Sequence, residues 1–351
     1  MGTLIGLKSR TSYVLGNPIA RGGEGTVYEV HGNPAKVIKI YSRLMDKVRE
    51  EKLAELMKVY RPTLAAVSAW PEEVVADGSK PVGFVMPAVR GGRPLHCYIT
   101  PSDRHRYAPG ATYGALVAVA ANLARAVMNF HQAGVVLSDI NFSNFLVLPN
   151  GTVRIIDCDS VQIGSKAKFR ATVAMEEFIP PELQGTRVAE NARTPDHDNF
   201  GLSVLIFLLL IQGRHPFSGS GGMPMGEAIW QRLHPFYKTH PDRTCPFCAM
   251  GLKAAEVLSA DLIALFTASF NGGGTFSKYR PTAAQWVSAL DAFAKSMIVC
   301  KANPAHGYTQ ANKACPWCRL ETEGKPALFA PTPRSKLPPP PKKGLLASLF
   351  G

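Results

Sequence analysis

Cysteine is scarce in this chain: seven among 351 residues, too few to staple a secreted module with disulfides. Acid is short as well, 26 Asp and Glu against 39 Lys and Arg, which leaves a formal net charge of +13. No apolar run reaches the roughly 20 residues that a bilayer demands. The longest, residues 200–211, contains Ser203 and closes at Gln212-Gly213. The first ten residues lack a basic stretch ahead of an apolar one, so they do not read as a signal peptide. Gly6 stands where a myristoylation pattern on Gly2 asks for Ser or Thr. Charged residues make up only 19% and apolar ones 46%, which excludes a disordered chain and provides for a sizeable core. A soluble, cytoplasmic protein with reduced thiols is expected. The basic excess suits nucleic acid, phosphorylated ligands or acidic partners, and the total alone does not choose.

What is present is patterned. Residues 12–41 hold three short β-forming groups around Tyr13-Val14-Leu15, Thr26-Val27-Tyr28 and Val37-Ile38-Lys39-Ile40. Glycines at 22, 23, 25 and 32 separate them, which predicts strand, glycine-rich turn, strand, turn, strand. Leu44, Val48, Leu53, Leu56 and Met57 recur at helical spacing over residues 43–59. Strand-like residues continue to 82–86, and the composition then turns helical. Helices are predicted over 113–131, 200–212, 254–266 and 282–298, with one β-hairpin about Pro149-Asn150-Gly151. Residues 325–351 carry seven prolines and five basic residues without an acid, the composition of an extended or disordered tail.

Several of these segments carry chemistry. Gly22, Gly23 and Gly25, between Ala20 and Val27, form a turn whose N–H groups can approach phosphate oxygens without Cβ clashes. Lys39, in a strand, is placed to reach α- and β-phosphates, and Glu50 in the following helix to hold that amine. Asp139 and Asn144 stand in an Asp-x-x-x-x-Asn run after a buried strand, and Asp157 ends the next strand but one. An aspartate that accepts a hydroxyl proton, with an Asn and an Asp that hold Mg²⁺, is what phosphoryl transfer requires. Each residue alone reads as a turn cap or a solvated strand position. The ordered set does not.

In this order and at these spacings the motifs resemble the protein kinase superfamily over about residues 12–297. Ile179-Pro180-Pro181-Glu182 is similar to the end of an activation segment, and Asp198-Asn199-Phe200-Gly201 to the start of the central helix of the large lobe. The resemblance implies an α+β, two-lobed fold with a small lobe over 1–86 and a large lobe over 87–298. It implies ATP and Mg²⁺ as cofactors, a hinge from Met86 through Ala88 to Val89 that receives adenine, and an Arg280–Glu182 pair. Asp139, Lys39, Asn144 and Asp157 would then carry transfer to Ser or Thr hydroxyls of a protein substrate. The departures are specific. Ala20 replaces the first glycine of the loop, Leu137-Ser138 a His-Arg pair, and Asn141 a lysine; Asp157-Cys158-Asp159 replaces Asp-Phe-Gly. Losing the lysine removes a cation from the transferring group. Losing the arginine removes the usual clamp for an activation-loop phosphate, so activity is expected to escape that switch, although Ser160, Ser165 and Thr172 lie in the segment. A nucleotide-binding pseudokinase scaffold is the alternative that the departures support.

The cysteines add a second theme. Cys300, His306, Cys315 and Cys318 run as C-x5-H-x8-C-x2-C, a spacing suited to tetrahedral zinc, and residues 299–324 read as a small zinc ribbon. Cys245 and Cys248 form another Cys-Pro-x-Cys knuckle. They either take a second Zn²⁺ with His234 and His240, or share one ion with Cys315 and Cys318, which would free Cys300 and His306. A kinase-like domain followed by such a ribbon resembles bacterial kinases found with phosphatases and von Willebrand-type proteins in tellurite-resistance-like systems, which implies partners of those kinds. Five of the basic residues lie in the tail and the body has an anionic nucleotide to host, so neither nucleic acid nor a membrane is the expected partner.

Overall fold

Six strands in the first 87 residues close on themselves. In the computed structural model, which describes residues 2–163, 169, 174–219, 222–236, 245–272 and 279–329, these are β1 (Thr3–Gly6), β2 (Ser12–Arg21), β3 (Gly25–Val30), β4 (Lys36–Tyr41), β5 (Glu73–Asp77) and β6 (Lys80–Pro87). They form an antiparallel barrel in the order β1-β2-β3-β4-β6-β5, because β1 pairs with β2 on one edge and β5 on the other. Leu4, Val30, Ile38, Val75 and Val85 fill the interior. The seam is latched by Glu73, whose carboxylate accepts hydrogen bonds from Lys8 N at 2.8 Å, Ser9 N at 2.5 Å, Ser9 Oγ at 2.7 Å and Tyr13 Oη at 3.1 Å. A Cβ on Gly25 would run into the Ile40 carbonyl, so this glycine serves the close crossing of β3 over β4 rather than a phosphate. Helix α1 (Lys47–Lys58) is capped by Asp46, which accepts from Arg49 N, and buries Leu53 and Leu56. After α2 (Pro62–Val67), the Trp70 indole donates to Leu56 O at 3.1 Å and packs edge-on against Phe130.

The remainder is mainly helical. Short elements β7 (Arg93–Pro94), α3 (His96–Ile99) and α4 (Pro101–Tyr107) lead into α5 (Tyr113–Gln132). By length and composition α5 would suffice to cross a membrane; in this fold most of it is buried against later helices. Two pairs of short strands follow: β8 (Val135–Val136) meets β11 (Gln162–Ile163), and β9 (Phe145–Val147) meets β10 (Val153–Ile155) at the expected hairpin. Helix α6 (Pro195–Leu210) starts earlier than its apolar run, because Thr194 and His197 form a capping box ahead of it. It is buried on all sides from Asp198 onward. Helices α7 (Met225–Trp230), α8 (Pro246–Met250), α9 (Ala254–Val257), α10 (Ala260–Asn271) and α11 (Ala283–Ser296) complete the lobe. Ser259 caps α10 and splits the single helix expected over 254–266.

Arg280 ties three of these parts together. Its guanidinium, with no exposed surface, bonds both oxygens of Glu182 at 2.8 Å, Asp196 Oδ2 at 2.6 Å, and the carbonyls of Ser269 and Gly272. The Arg280–Glu182 pair expected from the resemblance is therefore present. Because Asp196 stays in place, Glu182→Gln should leave Arg280 partly compensated and cost about 1–2 kcal/mol. Urea unfolding of the variant measures it.

Strands β12 (Ile298–Val299) and β13 (Gly307–Tyr308) and helix α12 (Pro316–Thr322) make up the Cys/His segment. It packs into the large lobe, with Tyr113 N donating to Ala305 O at 2.8 Å and Thr309 N to Glu256 O at 3.2 Å, and is held together internally by Trp317 Nε1 donating to Gly307 O at 2.7 Å. Order continues past residue 325, where the tail was expected to begin. Arg104 reaches Leu328 O at 3.2 Å, and Phe329, 2% exposed, packs edge-on against Tyr113, Trp317 and His306. Residues 330–351 lie outside the described set.

Candidate active site

Between the barrel and the helical lobe lies a cleft of about 680 Å³. Its wall carries Ala20, Val27, Met86, Ala88, Leu146 and Ile156, with Gly22, Gly23 and Gly25 along the rim and Lys39, Asp157 and Asp159 at its inner end. The mixture suits a flat apolar base at one end and phosphates at the other. The turn of the rim is closed by Gly22 N donating to Gly25 O at 2.9 Å. Ala88 lines the cleft, but its N–H is spent on Ala35 O at 2.8 Å. Of the expected hinge, the Ala88 amide therefore serves the fold.

Lys39 is 6% exposed, on β4, and three carboxylates surround it. Its Nζ lies 2.7 Å from Asp157 Oδ1, 2.8 Å from each oxygen of Asp159, and 3.9 Å from Glu24 of the glycine-rich turn. Burial opposes its charge, and Asp159 and Asp157 outweigh that, so its pKa is raised above the ordinary value. Glu50, expected to hold this amine, is not among its partners; the carboxylate comes from Asp159 instead. Lys52 of α1 feels the charges of Asp159 and Glu24. Burial pushes its pKa down to about 8, with Asp159 and Glu24 opposing.

The loop from Leu137 to Asn144 is suspended from α6. Asp198 accepts from Leu137 N at 2.7 Å and Ser138 N at 2.9 Å, and lies 3.0 Å from His131 Nε2. These bonds offset the left-handed φ of +67° at Ser138. Asn144 donates through Nδ2 to Asp139 O at 3.0 Å and Asp139 Oδ2 at 3.1 Å, which turns its amide oxygen free for a cation. Asp157 also has φ +67°, a conformation that Asp and Asn tolerate better than most residues. Asn141, in the position of a lysine, is 4% exposed and accepts from Ser143 N at 2.8 Å as a turn cap. Cys158 is buried. Ser160 Oγ donates to Asp157 O, whereas Ser165 and Thr172 fall outside the described residues.

Sequence reasoning gave no role to three residues here. Asp198 served only as a landmark, and Asp159 only as a departure. Arg193, 4% exposed, borders a small cavity with Ser138, Asp139 and Pro180; its backbone is gripped by the Gln162 amide, and its Nε has no partner among the described residues. The acid replacing a glycine at 159 was a signal available in the sequence; nothing local marked Arg193.

The four candidate metal ligands converge. One donor atom each from Cys300, His306, Cys315 and Cys318 lies within 4.8 Å of the others. His306 Nδ1 is 3.4 Å from Cys318 Sγ and 3.6 Å from Cys315 Sγ, and Cys300 Sγ is 3.6 Å from Cys318 Sγ. Those separations are too long for a disulfide and suit edges of a tetrahedron about one ion. The other imidazole nitrogen, Nε2, meets Asn303 at 3.1 Å and Glu321 at 3.3 Å, which turns Nδ1 toward the thiols. Cys245 and Cys248, 3.3 Å apart, are not in this cluster, so the alternative in which the two knuckles share an ion is not what the fold assembles. His234 bonds Asn271 instead, and His240 falls outside the described residues.

A family model described as a protein kinase domain matches residues 13–286. Protein kinase YegI of Escherichia coli (strain K12) is 32% identical over 88% of this chain and 49% of its own length. Serine/threonine-protein kinase PknA of Mycobacterium tuberculosis (strain ATCC 25618 / H37Rv) is 24% identical over 64% of this chain and 52% of its own. The chain thus spans about half the length of these relatives. Among solved structures, the ROP18 kinase domain in complex with AMP-PNP and sucrose superposes with a TM-score of 0.55 at 15% identity, covering 84% of each chain, a likeness of fold.

Proposed function

The chain belongs to the protein kinase superfamily, and from that premise we propose that it transfers the γ-phosphoryl group of ATP to Ser or Thr hydroxyls of protein substrates. The observation that carries this reading is that Lys39 and Asp157 meet at the inner end of a cleft with an apolar wall, while Asn144, bonded to Asp139, is tied to the residue before Asp157 by the Ile156 N–Asn144 O bond at 2.9 Å. Asp139 orients the acceptor hydroxyl and takes its proton. Asn144 and Asp157 offer hard oxygen donors for Mg²⁺, which when bound neutralises phosphate charge. Lys39 steadies the phosphates, the turn over residues 20–27 covers them, and the backbone at Met86 to Val89 borders the base. Asn141 supplies no cation, so transfer is expected to be slow for a kinase.

The Cys300/His306/Cys315/Cys318 cluster is assigned to Zn²⁺ on the strength of its three thiols, its imidazole and the outer bonds of His306. The expected phosphatase and von Willebrand-type partners, and a cytoplasmic setting, belong to the same proposal. A nucleotide-binding scaffold is the second reading, favoured by the uncharged, turn-capping Asn141. Incubation with γ-labelled ATP and Mg²⁺ separates the two. Label recovered on serine or threonine supports the kinase; ATP binding with no label on any protein supports the scaffold.

A further inference from the structure

Resting on the nucleotide-binding reading above, we propose that Asp159, not a carboxylate of α1, is the positioning residue that orients the Lys39 ammonium toward the phosphates of ATP. Both Asp159 oxygens lie 2.8 Å from Lys39 Nζ, and Oδ2 also accepts from Tyr41 Oη at 2.7 Å. The side chain is 4% exposed. Its acceptors are therefore taken up by the lysine and the phenol. Unlike Asp157, Asp159 is not among the residues with positive φ, so a side chain at this position brings no backbone strain.

The rotation of α1 explains why Glu50 does not compete. Burial of Leu53 and Leu56 fixes which face meets the core. Residues two positions apart on a helix point about 200° apart, so Glu50 and Lys52 fall on opposite flanks of that stripe. Lys52 is the one near Asp159. The usual charges are thus exchanged: the helix brings a cation and the segment after β10 brings the acid. Lys39 has two further acidic neighbours, and neither is a lasting partner. Glu24 sits 43% exposed on the glycine-rich turn, and Asp157 is the acid assigned to Mg²⁺. Once Asp157 turns to the cation, Asp159 is the buried counter-charge left to Lys39.

The test is equilibrium binding of ATP and of adenosine to the full chain, read by calorimetry without turnover. Asp159→Asn should weaken ATP about tenfold and leave adenosine within about twofold, and Asp159→Glu should recover part of the loss. In a Lys39→Met background, Asp159→Asn should cost ATP nothing further, whereas a merely structural role would add its loss. Glu50→Gln should leave both ligands unchanged. ATP affinity unaltered by Asp159→Asn, or lowered by Glu50→Gln, overturns the assignment while leaving the nucleotide reading intact. A wild-type chain that binds no ATP sinks both. Should Asp159→Asn lose adenosine as well through misfolding, Tyr41→Phe decides: it removes one donor to Asp159 and should weaken ATP about twofold, and no change overturns the proposal.

Discussion

Asp157→Asn is expected to lower phosphoryl transfer by about 10³-fold, roughly 4 kcal/mol of transition-state stabilisation, while leaving the melting temperature within a few degrees. Asparagine tolerates the left-handed φ of +67° that alanine would strain. It loses the charge that a divalent cation needs from this position. The fold should not suffer, because Lys39 keeps both oxygens of Asp159 and is not left as an unpaired buried cation. Label transfer and thermal melting of the same preparation measure the two halves. Full activity in the variant would remove Asp157 from the metal site.

Stripping the metal should act on stability instead. A strong chelator, or Cys315→Ser, is expected to lower the melting temperature by about 5–10 °C. Three thiols and an imidazole within 4.8 Å have little reason to stay together without an ion. What they hold is not peripheral: Trp317 and Phe329 pack against Tyr113, whose hydroxyl donates to Val257 O and whose N–H donates to Ala305 O. Metal analysis should find zinc in the wild type, and Cys245→Ser should retain this ion while Cys315→Ser loses it. Zinc-free protein that melts as the wild type does would dismiss the site.

The candidate site residues were legible because they stand in a recognisable order and spacing along the chain. In the fold Lys39 meets Asp157, Asn144 meets Asp139, Arg280 meets Glu182, and Cys300, His306, Cys315 and Cys318 converge. Two things were not legible, each for a physical reason. The phase of α1 depends on how Leu53 and Leu56 meet the core, so acids at 50, 51 and 55 and a lysine at 52 look equally eligible from sequence. The closing strand Thr3–Gly6 is only four residues long and owes its existence to partners in β2 and β5, beyond the reach of local propensity. The extra order at 325–329 is similar, since Phe329 is ordinary in sequence and gains a place through the aromatic rings around it.

The Glu73 latch has a mechanical consequence. A sheet with free edges can curl or splay, one strand sliding past the next; a cylinder cannot do so without breaking a rung. Admission and release of a nucleotide would therefore be borne by the barrel swinging as a stiff piece. It meets the helical lobe through the connecting residues 88–92, with Gly91 at φ +70°, and, on the other side, through the Ala69 N–Ile155 O bond and the Trp70–Phe130 contact.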